Sequence, residues 1–146
     1  MVDRHHHRCF ERNYRIHFSH CDPAGIVFFP QYFVMFNNLV EDWFNDGLHV
    51  PYAQMVASRR VGLPTVHIDV DFRAISRFGE DMLFGVEVLR AGAKSLSLAL
   101  DARHGDEMRV ELQQVLVFTS LDTHRSINIP DDIRAALQAT CGTVDP

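Results

Sequence analysis

Asp22 lies within His20-Cys21-Asp22-Pro23-Ala24-Gly25-Ile26-Val27-Phe28-Phe29-Pro30-Gln31-Tyr32-Phe33, the stretch whose residue types and spacing are best suited to chemistry. A carboxylate follows a strand end, a turn of small residues follows the carboxylate, and a helix then begins. The first backbone N–H groups of a helix lack partners inside it and carry partial positive charge. A carbonyl oxygen lying against them is polarised as in an oxyanion hole. A carboxylate across the turn then either attacks that carbonyl or activates water for the attack. On spacing alone a simpler role has the advantage, because Asp-Pro is a common turn opener and Asp22 would then shape the turn or cap the helix.

The histidines offer a second kind of chemistry. His17, His20 and Asp22 have metal-ligand character, but on an extended strand an odd separation sends His17 and His20 to opposite faces. No metal site is therefore expected there. His20, two residues from Asp22, is a candidate to tune the carboxylate or touch a substrate. His67, Asp69 and Asp71 share one strand face, which reads as a polar outer face or a subunit contact. His5, His6 and His7 read as part of a solvated tail over residues 1–9, with a second flexible end at 141–146.

Elements must position these groups. Tyr14, Ile16 and Phe18 alternate with Asn13, Arg15 and His17, so a first strand is expected over Cys9 to Phe18. From about Gln31 to Asp46 the period becomes helical, with Phe33, Phe36, Val40, Trp43 and Phe44 forming a wide aromatic stripe that other elements must cover. Pro30 suits its first turn and Gly47 its end. A loop with Pro51, Gly62 and Pro64 follows, with a helical turn at Met55 to Ala57. Four strands are then expected: Thr65 to Phe72, Asp81 to Arg90, Ser95 to Ala102 and Val110 to Leu121. Gln113-Gln114 interrupt the last as a shift of phase or a bulge. His104-Gly105-Asp106 form a hairpin turn, and Pro130 and Asp131 open a short helix reaching about Ala139. A sheet with one apolar face and a helix in need of cover are satisfied together when the sheet wraps the helix, an α+β two-layer domain filling the 146 residues.

Composition narrows the functions. The net charge is −5 and Lys94 is the only lysine, so no basic stripe for nucleic acid exists. A polyanion is held only by a few local arginines. No apolar run approaches the ~20 residues of a membrane helix. The polar start, Met1 to Phe10, has no signal-peptide core. Cys9, Cys21 and Cys141 form no C-x-x-C pair and imply a reducing compartment, so a cytoplasmic location is expected.

The run D-P-A-G-I-V-F-F-P-Q-Y-F resembles the active-site segment of 4-hydroxybenzoyl-CoA thioesterases and their bacterial relatives. R-V-G-L-P-T-V-H-I-D-V-D-F and R-F-G-E-D-M-L resemble later segments of the same family, and the matches span roughly Tyr14 to Leu121. The resemblance implies a hotdog fold, in which a five-stranded antiparallel sheet wraps a long helix. It implies hydrolysis of an acyl-CoA thioester without metal or other cofactor. Asp22 is then the nucleophile or general base, and the backbone N–H of Phe29 binds the thioester oxygen. The family's assembly is a two-fold dimer joined through the strand Thr65 to Phe72, commonly paired again into a tetramer, with active sites near the dimer interface.

One segment departs from the pattern. The type enzyme meets the CoA phosphates through basic residues just before a Lys-Ser pair. Here Lys94-Ser95 is present, but Gly92-Ala93 precede it. Arg73 and Arg77 are the next candidates for the phosphates, and Arg59, Arg60 and Arg90 are open as well. Asn37 and Glu41, one turn apart on the central helix, are candidates for contact with the acyl group. Two other readings remain: a hotdog hydratase or dehydratase, which the D-P-A-G segment does not fit, and a non-catalytic acyl-CoA-binding protein, against which an intact Asp22 argues.

Overall fold

The helix that opens after Asp22 is sheathed by a sheet whose strands alternate as the sequence requires. The computed structural model describes residues 8–142. Residues 1–7 and 143–146, which include His5–His7 and most of the two expected flexible ends, lie outside the described residues. Cys9 leads directly into the sheet, donating its backbone N–H to Val86 O at 2.9 Å.

The elements are β1 (Phe10–Arg15), α1 (Pro30–Asp42), α2 (Tyr52–Ala57), β2 (Val61–Gly62), β3 (Thr65–Phe72), β4 (Asp81–Ala91), β5 (Ser95–His104), β6 (Glu107–Val117), β7 (Thr119–Ser120) and α3 (Asp131–Cys141). Five strands form one sheet in the order β1-β4-β5-β6-β3, and β2 pairs separately with β7. Each neighbouring pair in the large sheet is antiparallel. Edges are therefore β1 and β3. This is the hotdog arrangement.

The sheet's inner face is apolar by period two: Met82, Phe84 and Val86 on β4, Leu96, Leu98 and Leu100 on β5, and Val110, Leu112 and Leu116 on β6 are all buried. Against it α1 buries Tyr32, Met35, Phe36, Leu39 and Val40. Phe36 meets Phe84 at a centroid distance of 5.2 Å. A single wider turn, Trp43–Gly47, prolongs the helix and buries Trp43 and Phe44 completely. Gly47 is required here by close approach: a Cβ would lie 2.8 Å from Trp43 Cδ1 and 3.0 Å from Phe10 Cδ1.

Three expectations need correction. The first strand ends at Arg15 rather than Phe18. The chain then turns through a 3-10 helix at Phe18–His20, and Phe18 is 70% exposed instead of sharing the face of Ile16. The last strand ends at Val117, and Thr119–Ser120 belong to the small sheet. Finally, Gln113 and Gln114 pair regularly with Ala99 and Leu98, so no bulge interrupts the strand there. The bulge lies earlier. Ala102 faces Val110 and Arg103 faces Met108, leaving Arg109 as the extra residue on β6. That extra residue turns Arg109 into the protein, where it is only 6% exposed.

Candidate active site

The segment around Asp22 is a small closed loop anchored at both ends. Cys21 and Val27 form an antiparallel bridge. Asp22 N–H donates to Ile26 O at 3.0 Å, Gly25 N–H donates to Asp22 O at 2.9 Å, and Phe28 N–H donates to His20 O at 3.0 Å. Gly25 has φ +80, a left-handed conformation that explains the glycine of D-P-A-G. Ala24 N–H donates to Asp22 Oδ1 at 2.8 Å. One carboxylate oxygen is thus fixed by the turn, and Oδ2 has no hydrogen-bond partner among the described residues. Asp22 is half-buried.

The helix start lies immediately beyond. Phe29 precedes the helix and Pro30 occupies its first position. Phe28 spends its amide on His20, whereas the amide of Phe29 meets no backbone carbonyl among the described residues. The uncommitted N–H at the helix N-terminus is therefore the one beside the Asp22 loop. Phe29, Tyr32 and Phe33 all lie on Phe72 at the end of β3, at 6.0, 5.9 and 6.3 Å. Phe18, Phe28 and Phe78 stand exposed around the turn.

His17 and His20 are not on opposite faces of a strand, because the 3-10 turn intervenes. His17 N–H donates to His20 Nδ1 at 2.9 Å, and the two rings meet edge to face at 5.5 Å. Burial, and then the neighbouring His17, push the His20 imidazole below its usual range. With Nδ1 accepting, neutral His20 carries its proton on Nε2.

A buried polar network supports the loop from behind, and the sequence did not disclose it. Val27 N–H donates to Ser76 O at 2.9 Å, and Ile26 bridges to Arg77. Tyr32 bonds Ser76 Oγ at 2.8 Å. Arg109 Nη1 donates to Ile75 O at 2.6 Å, Ser76 Oγ at 3.2 Å and Glu80 Oε1 at 3.1 Å, while Nη2 donates to Glu80 Oε2 at 3.0 Å. Glu107 pairs with Arg109 Nε. The Arg109 guanidinium holds the Glu80 carboxyl down to about 2. Burial pushes the Tyr32 phenol up. The signal that could have been found was an arginine one place before the apolar alternation of β6, with Glu80 just before β4.

The remaining candidates separate into groups. Arg77 flanks the Asp22 loop through its bridge to Ile26. Arg73, just past β3, is paired with Glu111 at 2.8 Å. Arg59 and Arg60 are paired with Asp132 at 2.7 Å and Asp122 at 3.1 Å. Lys94 and Ser95 lie at the opposite end of the sheet, beside Val117 and thus the Thr65 end of β3. The turn is closed by Gly92 N–H, which donates to Ser95 O at 2.9 Å. Since β3 is about 23 Å long, Lys94 does not reach Asp22 of its own chain. Asn37 lines a cavity between α1 and the β3–β6 pair, with Phe33, Phe36, Thr65, Ile68 and Gln114. Glu41 is exposed and lies outside that cavity.

Residues 16–137 match the family model described as the thioesterase-like superfamily. A 1,4-dihydroxy-2-naphthoyl-CoA hydrolase of Synechocystis sp. is 27% identical over 79 residues, covering 54% of this chain and 56% of that protein. The chain thus spans about half the length of the curated relative it matches. Among solved structures, a 1,4-dihydroxy-2-naphthoyl-CoA thioesterase from Synechocystis superimposes with a TM-score of 0.79 at 21% identity, covering 88% of this chain and 94% of that one. A gentisyl-coenzyme A thioesterase gives 0.78 at 20% identity, covering 87% and 98%. A thioesterase-superfamily protein from Jannaschia sp. CCS1 gives 0.83 at 22% identity, covering 92% and 94%. These likenesses show a shared fold.

Proposed function

The chain belongs to the thioesterase-like superfamily, and from that premise we propose that it hydrolyses an acyl-CoA thioester to the free acid and CoA. The observation that carries the proposal is the closed Asp22 loop set against a helix start whose Phe29 N–H is uncommitted. The thioester carbonyl accepts a hydrogen bond from Phe29 N–H, which stabilises the negative charge that builds on its oxygen. Asp22 Oδ2 then either takes a proton from a water that attacks the carbonyl carbon, giving the acid as the CoA thiolate leaves, or attacks that carbon itself, expelling the CoA thiolate and leaving a mixed anhydride on Asp22 that water hydrolyses to the acid. The Ala24 N–H on Oδ1 fixes the direction of the carboxylate. CoA appears in the names of the Synechocystis and gentisyl relatives; the acyl group is left open between aromatic and aliphatic acids.

The active unit in this proposal is a two-fold dimer joined at β3. That edge strand exposes Val66, Ile68 and Phe72 at 61%, 39% and 46%, an apolar edge that a monomer would leave open to further pairing. Antiparallel pairing about a two-fold axis sets the Thr65 end of one β3 beside the Phe72 end of the other. Lys94 and Ser95 of the partner subunit then approach the Asp22 end, and Arg77 approaches from within the same chain. These are the proposed contacts to the CoA phosphates. A further pairing to a tetramer and a cytoplasmic setting belong to the same proposal.

The test is a panel of acyl-CoAs assayed for free thiol with a thiol-trapping dye. A hydrolase releases CoA stoichiometrically with acid. A hydratase changes the acyl chain without releasing CoA, a binding protein does neither, and both results reject the proposal.

A further inference from the structure

Two of the cysteines lie near opposite ends of the chain and meet in the fold. Cys9 precedes β1 and runs alongside β4: its N–H donates to Val86 O at 2.9 Å, and its Sγ lies 3.7 Å from the same oxygen. Cys141 is the last residue of α3, a helix that buries Ile133 and Leu137 and packs on β4. Ile133, Leu137 and Cys141 recur at four-residue steps, so the Cys141 sulfur continues the buried face of that helix. Both cysteines pack against the core and both are half-buried. Their thiols are hydrogen-bonded to each other, and both are free.

A disulfide sets its two sulfurs about 2.0 Å apart. A pair already in hydrogen-bond contact, with one member at a helix end, closes that gap by side-chain rotation. The hydrogen bond from Cys9 holds the Cys141 thiol below its ordinary range, although burial opposes it. The same bond, together with burial, holds Cys9 above that range. Cys141 is thus the member that gives up its proton, and the thiolate is the nucleophile of sulfur chemistry. A partly exposed thiolate with a second thiol beside it reacts with an oxidant and is then resolved by its neighbour. Cys21 is the internal contrast. Its Sγ lies 3.6 Å from His17 O, and burial pushes its thiol up. The pair also sits beside β1, the sheet edge opposite β3, so a dimer joined at β3 leaves it uncovered.

We infer that Cys9 and Cys141 are a reversible redox pair, in which a hydroperoxide oxidises Cys141 and Cys9 resolves the product into a disulfide that ties the start of β1 to the end of α3. The Cys141 thiolate attacks an oxygen of the peroxide. An S–O bond forms, the O–O bond breaks, and the departing oxygen takes a proton to leave as water or an alcohol. The Cys9 sulfur then attacks the sulfenic sulfur of Cys141. The S–S bond forms, the S–O bond breaks, and the hydroxyl leaves as water with the Cys9 proton. Two electrons pass from the thiols to the peroxide, and a dithiol returns them. This site goes beyond thioester hydrolysis and does not depend on it.

The experiment titrates the reduced full chain with hydrogen peroxide, quenches it with N-ethylmaleimide under denaturing conditions, and reads the intact mass and the peptide map. The oxidised wild type should carry a maleimide on Cys21 alone and a Cys9–Cys141 disulfide peptide, and dithiothreitol should restore alkylation of all three cysteines. Free Cys141 should disappear about tenfold or more faster than free Cys21. Cys21→Ser should form the same disulfide. Cys9→Ser should stop at a sulfenic acid on Cys141, trapped by dimedone. Oxidation that leaves Cys9 and Cys141 open to maleimide overturns the inference. So does a disulfide that involves Cys21 or joins two chains, or loss of Cys21 as fast as Cys141. Circular dichroism establishes that Cys9→Ser is folded; were it not, the wild-type peptide map alone decides.

Discussion

Replacing Glu80 by Gln should remove a pH-dependent share of the stability that holds the Asp22 loop. Glu80 receives both Nη atoms of Arg109, at 3.1 and 3.0 Å, and Arg77 N–H at 2.6 Å. Its side chain is 22% exposed and that of Arg109 is 8% exposed, so the pair is largely shielded from solvent. The Glu80 carboxyl falls from 4.5 to about 2, first through the hydrogen bonds from Arg109. At ~1.4 kcal/mol for each tenfold change in proton affinity, that amounts to about 3 kcal/mol. The folded-state value is depressed, so this stability is fully present above the unfolded value of 4.5 and is lost as pH falls toward 2. About half is gone near the midpoint of the two values, around pH 3. Urea unfolding at fixed protein concentration, from pH 7 to pH 2.5, reads the effect. Wild type should exceed Glu80→Gln by about 3 kcal/mol at pH 7, with the gap shrinking steadily below pH 4.5. A gap of the same size at every pH would refute the reasoning, because it would assign the loss to packing rather than to charge.

Gly47→Ala should lower stability by about 1–3 kcal/mol, seen as a reduced Tm, because the added methyl meets Trp43 and Phe10 in a filled core; an unchanged Tm would mean that these rings yield freely. Lys94→Ala should raise KM for an acyl-CoA with kcat nearly unchanged, since phosphate contacts contribute uniform binding. That effect should shrink with a pantetheine thioester, and an unaltered KM removes Lys94 from the phosphate site and makes Arg77 and Arg73 the next to test. Sedimentation at micromolar concentration should give a dimer or a larger even assembly, and a stable monomer would contradict pairing through β3.

Strand and helix types were legible because both sides of the sheet obey period two and α1 is apolar over a wide face. Thr65–Phe72 was delimited to the residue. Phe18 was misplaced because alternation continues past Arg15 even though the chain has left the sheet for a 3-10 turn. Periodicity reports residue types, and here it could not report where pairing stops. Gln114 was taken for a defect in the strand, although it keeps the phase and carries its polarity inward. The Arg109–Glu80 pair was invisible for a different reason. An arginine and a glutamate 29 residues apart read as surface charges, and only the bulge that turns Arg109 inward makes them partners. At the candidate site, the motif disclosed the Asp22 turn and the helix start. It did not disclose that Lys94 lies at the far end of the sheet, a consequence of strand order that no local pattern contains.

The central claim is that Asp22 performs chemistry and does more than shape its turn. Single-turnover hydrolysis of an acyl-CoA by wild type and Asp22→Asn tests it most directly, because it isolates the chemical step from product release. The near-isosteric amide can still accept the Ala24 N–H, so the turn and the fold should persist. The rate should fall by at least about 100-fold, the scale of losing a nucleophile or general base. A folded Asp22→Asn protein that releases CoA at a near-normal rate would contradict the account and return Asp22 to the role of a turn residue.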